Sequence, residues 1–203
     1  MAEPFQLRMA RPADAAAIAE IYAPICRDTV ISFEAEPPDA TEIARRMEAV
    51  LARLPWLVCT RGGAVLGYAY ARPYNERAAY QWTLEASIYL AEAARGQGLA
   101  GGLYTALFDL VRTQGYCSVI AGITLPNEAS VRLHERFGFE PVGRIPAAGY
   151  KHGGWHDVGY WRRALRPAGP PPPLVPLAGL VDGPDWHAAI AAGQAAMASP
   201  RKA

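Results

Sequence analysis

A mixed α/β fold is predicted by three features of the chain. Trp56 to Arg61 and Ala64 to Arg72 are strand-like runs parted by Gly62-Gly63, the signature of a tight hairpin, so antiparallel strands precede the middle of the sequence. The stretch from Trp82 to Ala100, WTLEASIYLAEAARGQGLA, reads as a strand, a short turn and the glycine-rich opening of a helix. Beyond Gly115 strand and helix alternate again, with a buried strand over Ser118 to Leu125 and a helix through Phe137.

The 203 residues, 51% of them hydrophobic, suffice to bury one full core. Twenty Lys and Arg against nineteen Asp and Glu leave a formal charge of +1 with no basic run. Electrostatics therefore gives no reason to expect nucleic acid or an anionic membrane, and a small-molecule partner is expected. Cys26, Cys59 and Cys117 are odd in number, lie in apolar stretches and lack metal spacing, which reads as reduced core thiols. The N-terminus lacks a charged and then apolar leader, and no apolar run approaches membrane-spanning length, so a soluble cytoplasmic protein is expected.

In chain order, Phe5 to Met9 alternates as a short strand. Arg11-Pro12-Ala13-Asp14 then opens a helix carrying Ile18 and Ile21, which Pro24 is expected to end or kink. Cys26 to Pro38 reads as a loop with Phe33 at its tip, an aromatic that either caps the core or walls a ligand. Ile43, Met47, Val50, Leu51 and Leu54 recur at helical spacing, opposite Glu42, Arg45, Arg46 and Glu48. After the hairpin, residues 72–80 are rich in cations and aromatics. They form either a solvated loop or a recognition loop whose guanidinium groups grip a carboxylate.

In the central strand, Leu84, Ala86, Ile88 and Leu90 share a core face, while Thr83, Glu85, Ser87 and Tyr89 share a polar and aromatic one. Arg95, Gly96, Gln97, Gly98, Leu99 and Ala100 then place small residues at a helix start. Unpaired N–H groups and the positive end of the helix dipole make that an anion cradle. A lone glycine-rich loop equally marks an ordinary turn, and this spacing matches neither the dinucleotide fingerprint nor a P-loop. Near the end, Glu140 to Ile145 and His156 to Arg162 look like strands joined around Tyr150 to Gly154. His152 and His156 lack the shared helical face and companion ligands of a zinc site, so no metal is expected. From Pro167 the composition turns Pro- and Ala-rich. A folded domain is therefore expected over residues 1–166, followed by an extended or partly disordered tail, 167–203, dispensable for chemistry, with a possible short helix over Asp185 to Met197.

Arg95-x-x-Gly98-x-Ala100 resembles the coenzyme A pyrophosphate loop of the GNAT N-acetyltransferases, and Asn127-x-x-Ser130 with Gly138-Phe139 resembles the signature of their fourth helix. PWLV at 55–58, YQWTLEASIYL, RLHERFGF and AAGYKHGGWHDVGYW are similar, in order, to phosphinothricin acetyltransferase-type amino-acid N-acetyltransferases over residues 5–163. The resemblance implies the GNAT fold, a central mixed, mostly antiparallel, V-splayed sheet flanked by helices. It also implies acetyl-CoA as donor, a homodimer, and transfer to the α-amino group of a free small amino acid or an analogue such as phosphinothricin or methionine sulfoximine or sulfone. Residue by residue, it makes Glu85 the general base, acting directly or through water. His134 would return a proton to the thiolate or hold that water. The strand edge at Ile88, Tyr89 and Leu90 would donate N–H to the oxyanion, and Arg95 to Ala100 would hold the pyrophosphate. Asn127 and Ser130 would line the pantetheine arm, and Phe33, Arg77, Tyr80 and Tyr89 the acceptor pocket; Arg77, with Arg72 as a second candidate, is expected to hold the acceptor's carboxylate.

The chemistry asks for such parts, since an ammonium must lose a proton before its nitrogen can attack a thioester. A carboxylate on the inner face of a half-buried strand is expected to have a raised pKa that suits the task. The sequence departs from the phosphinothricin enzymes at Asn75-Glu76-Arg77, where they tend to carry an additional lysine; losing a cation and gaining Glu76 disfavours a doubly anionic acceptor. Two other readings share these features: an N-terminal peptide acetyltransferase, which needs an open groove, and a non-catalytic acyl-CoA-binding module, which Glu85 and His134 argue against.

Overall fold

The computed structural model describes residues 3–198. Seven strands form one sheet: β1 (Gln6–Met9), β2 (Trp56–Arg61), β3 (Ala64–Pro73), β4 (Thr83–Leu90), β5 (Ser118–Leu125), β6 (Glu140–Lys151) and β7 (Gly154–Ala164). Their order is β1-β2-β3-β4-β5-β7-β6, and every neighbouring pair is antiparallel except β4 and β5. The helices are α1 (Ala15–Asp28), α2 (Ala40–Leu51), α3 (Leu99–Thr113), α4 (Glu128–Arg136) and α5 (Pro184–Ala198).

The β2–β3 turn is the glycine pair, with φ of 59° at Gly62 and 80° at Gly63, the left-handed values that a two-residue hairpin with the right twist requires. Both faces of the sheet are covered. On β2, Leu57 and Cys59 enter a core with Leu103 and Leu107 of α3, while Trp56 and Val58 enter a second core with Ile18 and Ile21 of α1 and Ile43 and Met47 of α2. Continuous burial explains why this strand reads as an unbroken apolar run. β4 and β5 are ladder partners only from Thr83–Ser118 to Glu85–Ile120, although β4 continues to Leu90 and β5 to Leu125. Beyond Glu85 the two strands part, and this is the V of the expected splayed sheet.

Two expectations are corrected. α1 does not end at Pro24 but runs to Asp28. The proline forgoes one hydrogen bond to the carbonyl four residues back, and the burial of Ile21, Tyr22, Ile25 and Cys26 around it outweighs that loss. β6 and β7 extend past Ile145 and begin before His156, as a long hairpin whose exposed residues give no alternation to read.

In the tail, the helix anticipated over Asp185 to Met197 forms as α5, and the residues between Arg166 and that helix return across the domain. The carbonyl of Pro172 accepts from Trp82 Nε1 at 2.9 Å, and Val175 N–H donates to the Gln114 carbonyl at 2.8 Å. Then α5 lies on α3 with Trp186, Ala189, Ile190, Gly193 and Met197 on its inner face. The approach is close enough that a Cβ at Gly102 would lie 2.3 Å from Met197 Cγ and 2.5 Å from the Gly193 carbonyl. The final residues, 199–203, lie outside the described ones. Trp186 is buried in the main core, so Trp186→Ala is expected to cost roughly 3–5 kcal/mol of stability. Urea unfolding checks this, with a fall in midpoint at unchanged slope as the expected result.

Candidate active site

β4 carries two sets of groups. At its end, a short helical turn over Glu92–Ala94 leads through Arg95 to Gly96 (φ 74°) and Gly98 (φ 81°), the latter capping α3. Gly98 has no side chain to satisfy the first N–H groups of α3, so they face outward. They border a cleft of about 870 Å³ that Leu90, Gly96, Gly98 and Ala100 line on one side and Leu133, Arg136 and Phe137 of α4 on the other. Arg163 of β7 adds a second cation, held over the Phe108 ring at 4.8 Å; burial pulls its pKa down. Small residues, helix-end donors and two guanidinium groups fit an elongated anionic ligand.

On the other face of the strand, Glu85 stands opposite Arg72 of β3, and Arg72 Nη2 donates to Glu85 Oε2 at 2.9 Å. The cation beside the carboxylate is thus Arg72 and not Arg77, because ladder register sets the neighbours of a strand residue. Tyr89 lies four residues on, packed against Tyr22 at 4.8 Å and Tyr68 at 5.5 Å between ring centroids, and burial raises its pKa. Tyr70, stacked on Trp56 at 4.0 Å, completes an aromatic wall behind the ion pair. Arg77 and Tyr80 are on the exposed connection: Arg77 N–H donates to Asn75 Oδ1 at 3.0 Å, and Tyr80 packs edge-on to Tyr74.

Phe33 is fixed from an unexpected direction. Its ring packs so tightly on Gly149 of β6 that a Cβ there would lie 2.3 Å away. Two residues on, Lys151 Nζ donates to the carbonyls of Cys26, Ser32 (2.7 Å) and Glu34 (2.9 Å). Glu34 in turn takes a bidentate contact from Arg46 and a hydrogen bond from the Tyr22 hydroxyl. Sequence reasoning missed this clamp; Lys151 stands inside the AAGYKHGGWHDVGYW stretch, but its partners lie far away in the chain.

α4 faces the cleft from beyond the splay. Asn127 Oδ1 accepts from Ser130 N–H at 3.1 Å and so caps the helix. His134 is buried, 4% exposed, and not on the helix surface. Its Nδ1 lies 2.8 Å from the Ser130 carbonyl, which can only accept, so Nδ1 carries the proton and Nε2 accepts from the Tyr104 hydroxyl at 3.0 Å. Burial lowers the His134 pKa, against the opposing effect of the Ser130 carbonyl. Among the described residues no hydrogen bond joins His134 to Glu85. A histidine with a folded-state pKa below its unfolded value of about 6.5 binds its proton first in the unfolded chain. Its contribution to stability is complete above that pH and is lost as pH falls below it, at up to about 1.4 kcal/mol per pH unit. Urea unfolding at pH 7.5 and 5.5 is expected to show a smaller pH dependence in His134→Gln than in the parent. Among the described residues no group of three or more His, Cys, Asp or Glu is placed to hold a metal, and no helix is long and apolar enough to cross a membrane.

Residues 7–159 match the acetyltransferase (GNAT) domain family. The chain is similar to the phosphinothricin N-acetyltransferase of Streptomyces viridochromogenes, with 42% identity over 174 residues that cover 86% of this chain and 95% of that one. It is also similar to the L-methionine sulfoximine/L-methionine sulfone acetyltransferase of Salmonella typhimurium, 34% identical over 78% of this chain and 94% of that one. In three dimensions it is similar to the crystal structure of a GNAT superfamily phosphinothricin acetyltransferase from Sinorhizobium meliloti in complex with AcCoA. The TM-score is 0.75 at 36% identity, covering 79% of this chain and 88% of that one.

Proposed function

Because this chain belongs to the GNAT acetyltransferase family, we propose that it transfers acetyl from acetyl-CoA to the α-amino group of a free small amino acid or an analogue such as phosphinothricin or methionine sulfoximine. The observation that carries this reading is the Arg72–Glu85 pair, 2.9 Å apart. An α-amino acid is a zwitterion with both charges on one carbon, and adjacent guanidinium and carboxylate groups complement it in kind and in spacing. Arg72, rather than Arg77, thereby becomes the first candidate for the acceptor's carboxylate.

Acetyl-CoA, when bound, supplies the acetyl group as an activated thioester. Arg95 to Ala100 would hold its pyrophosphate on the α3 N-terminus, with Asn127 and Ser130 along its pantetheine arm. Glu85, of which only Oε2 is engaged among the described residues, accepts a proton from the substrate ammonium, directly or through water. The nitrogen then forms its bond to the acetyl carbon as the carbon–sulfur bond breaks. Two protons leave the nitrogen in all; one ends on the sulfur and one in solvent. The β4 edge facing β5 has no ladder partner from Ala86 to Leu90; because N–H groups alternate between the edges of a strand and Ala91 N–H donates to the Leu66 carbonyl of β3, Ile88 and Leu90 rather than Tyr89 would offer backbone donors to the charge that grows on the carbonyl oxygen. His134, neutral and engaged at both ring nitrogens, serves by fixing Ser130 and the start of α4 rather than by giving up a proton. Phe33, Tyr80 and Tyr89 would cover the acceptor's side chain.

The test is thiol release from acetyl-CoA with phosphinothricin, methionine sulfone, a mixed amino-acid panel and short peptides. Turnover of free amino acids above peptides is expected; peptides as the better substrates would move the reading to an N-terminal peptide acetyltransferase, and no turnover with bound donor to an acyl-CoA-binding module. Lys151→Met is expected to loosen the Phe33 loop. It should raise the acceptor KM roughly tenfold, or ~1.4 kcal/mol, with the calorimetric Kd for acetyl-CoA unchanged. A cytoplasmic homodimer completes the proposal. Buried free Cys26 and Cys59 support a reducing compartment, and the exposed Val142, Ile145, Tyr150 and Trp155 of the β6–β7 hairpin support self-association.

A further inference from the structure

The family match ends at residue 159, so α5 lies wholly outside it. Nevertheless its last turn reaches the donor cleft: Ala196 borders the same space as Gly96, Gly98, Ala100 and Gly101. The helix is held there by the glycine contact with α3, in which a Cβ at Gly193 would lie 2.7 Å from the Gly102 carbonyl and 2.6 Å from Leu7 Cδ1. Met197, next to Ala196, is buried against Gly102, and its sulfur lies 3.6 Å from Cys59 Sγ. Ala196 is thus a fixed wall.

The part of the donor that meets this wall follows from the direction of the chain. The thioester must run inward along the splay toward Glu85, and the two phosphates sit on the first turn of α3. The nucleotide half is left for the outer cleft. There Gly101, Thr105 and Asp109, spaced by four along α3, form one stripe facing Arg136 and Phe137 of α4. Ala196 closes this outer cleft at the Gly101 end. We propose that α5 completes the nucleotide half of the donor site, and that the small side chain of Ala196 sets the room available to the phosphorylated adenosine of the coenzyme. The proposal rests on the reading of the cleft as an acetyl-CoA site.

The experiment compares acetyl-CoA with S-acetylpantetheine, which has the same thioester and arm but neither the phosphates nor the nucleotide, in the full chain and in Ala196→Trp. The expected result is an at least tenfold fall in the ratio of kcat/KM for acetyl-CoA to that for S-acetylpantetheine, carried by KM for acetyl-CoA. Ala196→Leu, less demanding on the α3 contact, is expected to move the ratio in the same direction by a smaller factor. An unchanged ratio in both variants, or equal losses with both donors, overturns the assignment of α5. Calorimetry on the parent protein separates this from the wider reading: a parent that does not bind acetyl-CoA overturns the donor site itself, whereas a parent that binds it beside variants with an unmoved ratio overturns only the role of α5.

Discussion

Glu85→Gln is expected to lower kcat by roughly 10²–10⁴-fold, the range for loss of a general base, while the Kd for acetyl-CoA stays the same. The amide preserves the shape of the carboxylate and can still accept a hydrogen bond from Arg72 across the β3–β4 ladder. What it cannot do is take the ammonium proton, so the loss falls on the step in which nitrogen becomes a nucleophile. The proposed donor cleft is at the far end of β4, bordered by Gly96 and Gly98, which is why donor affinity is the internal control. Near-normal turnover in Glu85→Gln together with an inactive His134→Ala would transfer the base role to the histidine.

Gly98→Glu is expected to weaken acetyl-CoA binding at least tenfold, or about 1.4 kcal/mol. Two effects add. A φ of 81° is left-handed and costs a residue with a Cβ about 1–2 kcal/mol, distorting the cap of α3. The new carboxylate also places negative charge where the phosphates must approach the first-turn N–H groups. Gly98→Ala separates the two, since it carries the backbone strain without the charge. Isothermal calorimetry on the folded variants measures both, and unchanged affinity in Gly98→Glu removes the cradle from the donor site.

Elements with a repeating contrast between buried and exposed positions were legible in the sequence. β4 alternates, α2 repeats at helical spacing, and Gly62-Gly63 names its own turn, so the sheet with its flanking helices could be anticipated. A helix near Asp185 to Met197 was legible in the tail, but its docking on α3 was not, for a physical reason. Alanines supply nearly half of α5, on both faces, and the decisive contact is between the backbones of Gly102 and Gly193, where the absence of a side chain is the packing feature. The persistence of α1 through Pro24 likewise depends on tertiary burial that local propensity does not encode. In the site, residue types were legible but partnerships were not. Glu85 could be placed on the polar face of its strand, yet pairing it with Arg72 needed the register of β3 on β4. Lys151 reaches backbone carbonyls, which no side-chain pattern announces.

The central claim is that the Arg72–Glu85 pair receives an amino acid as a zwitterion, and the most direct measurement is the catalytic efficiency of the unmodified protein on phosphinothricin and methionine sulfone against their α-carboxyl methyl esters. An ester's amine is less basic and more often free to attack, so intrinsic reactivity favours the ester, and a preference for the free acid reports recognition of the carboxylate. The free acids are expected to be favoured by at least about tenfold, because the ester removes the charge-assisted contact to Arg72, a class of hydrogen bond worth about 1.5–3 kcal/mol. Esters that match or outperform the free acids would contradict the claim.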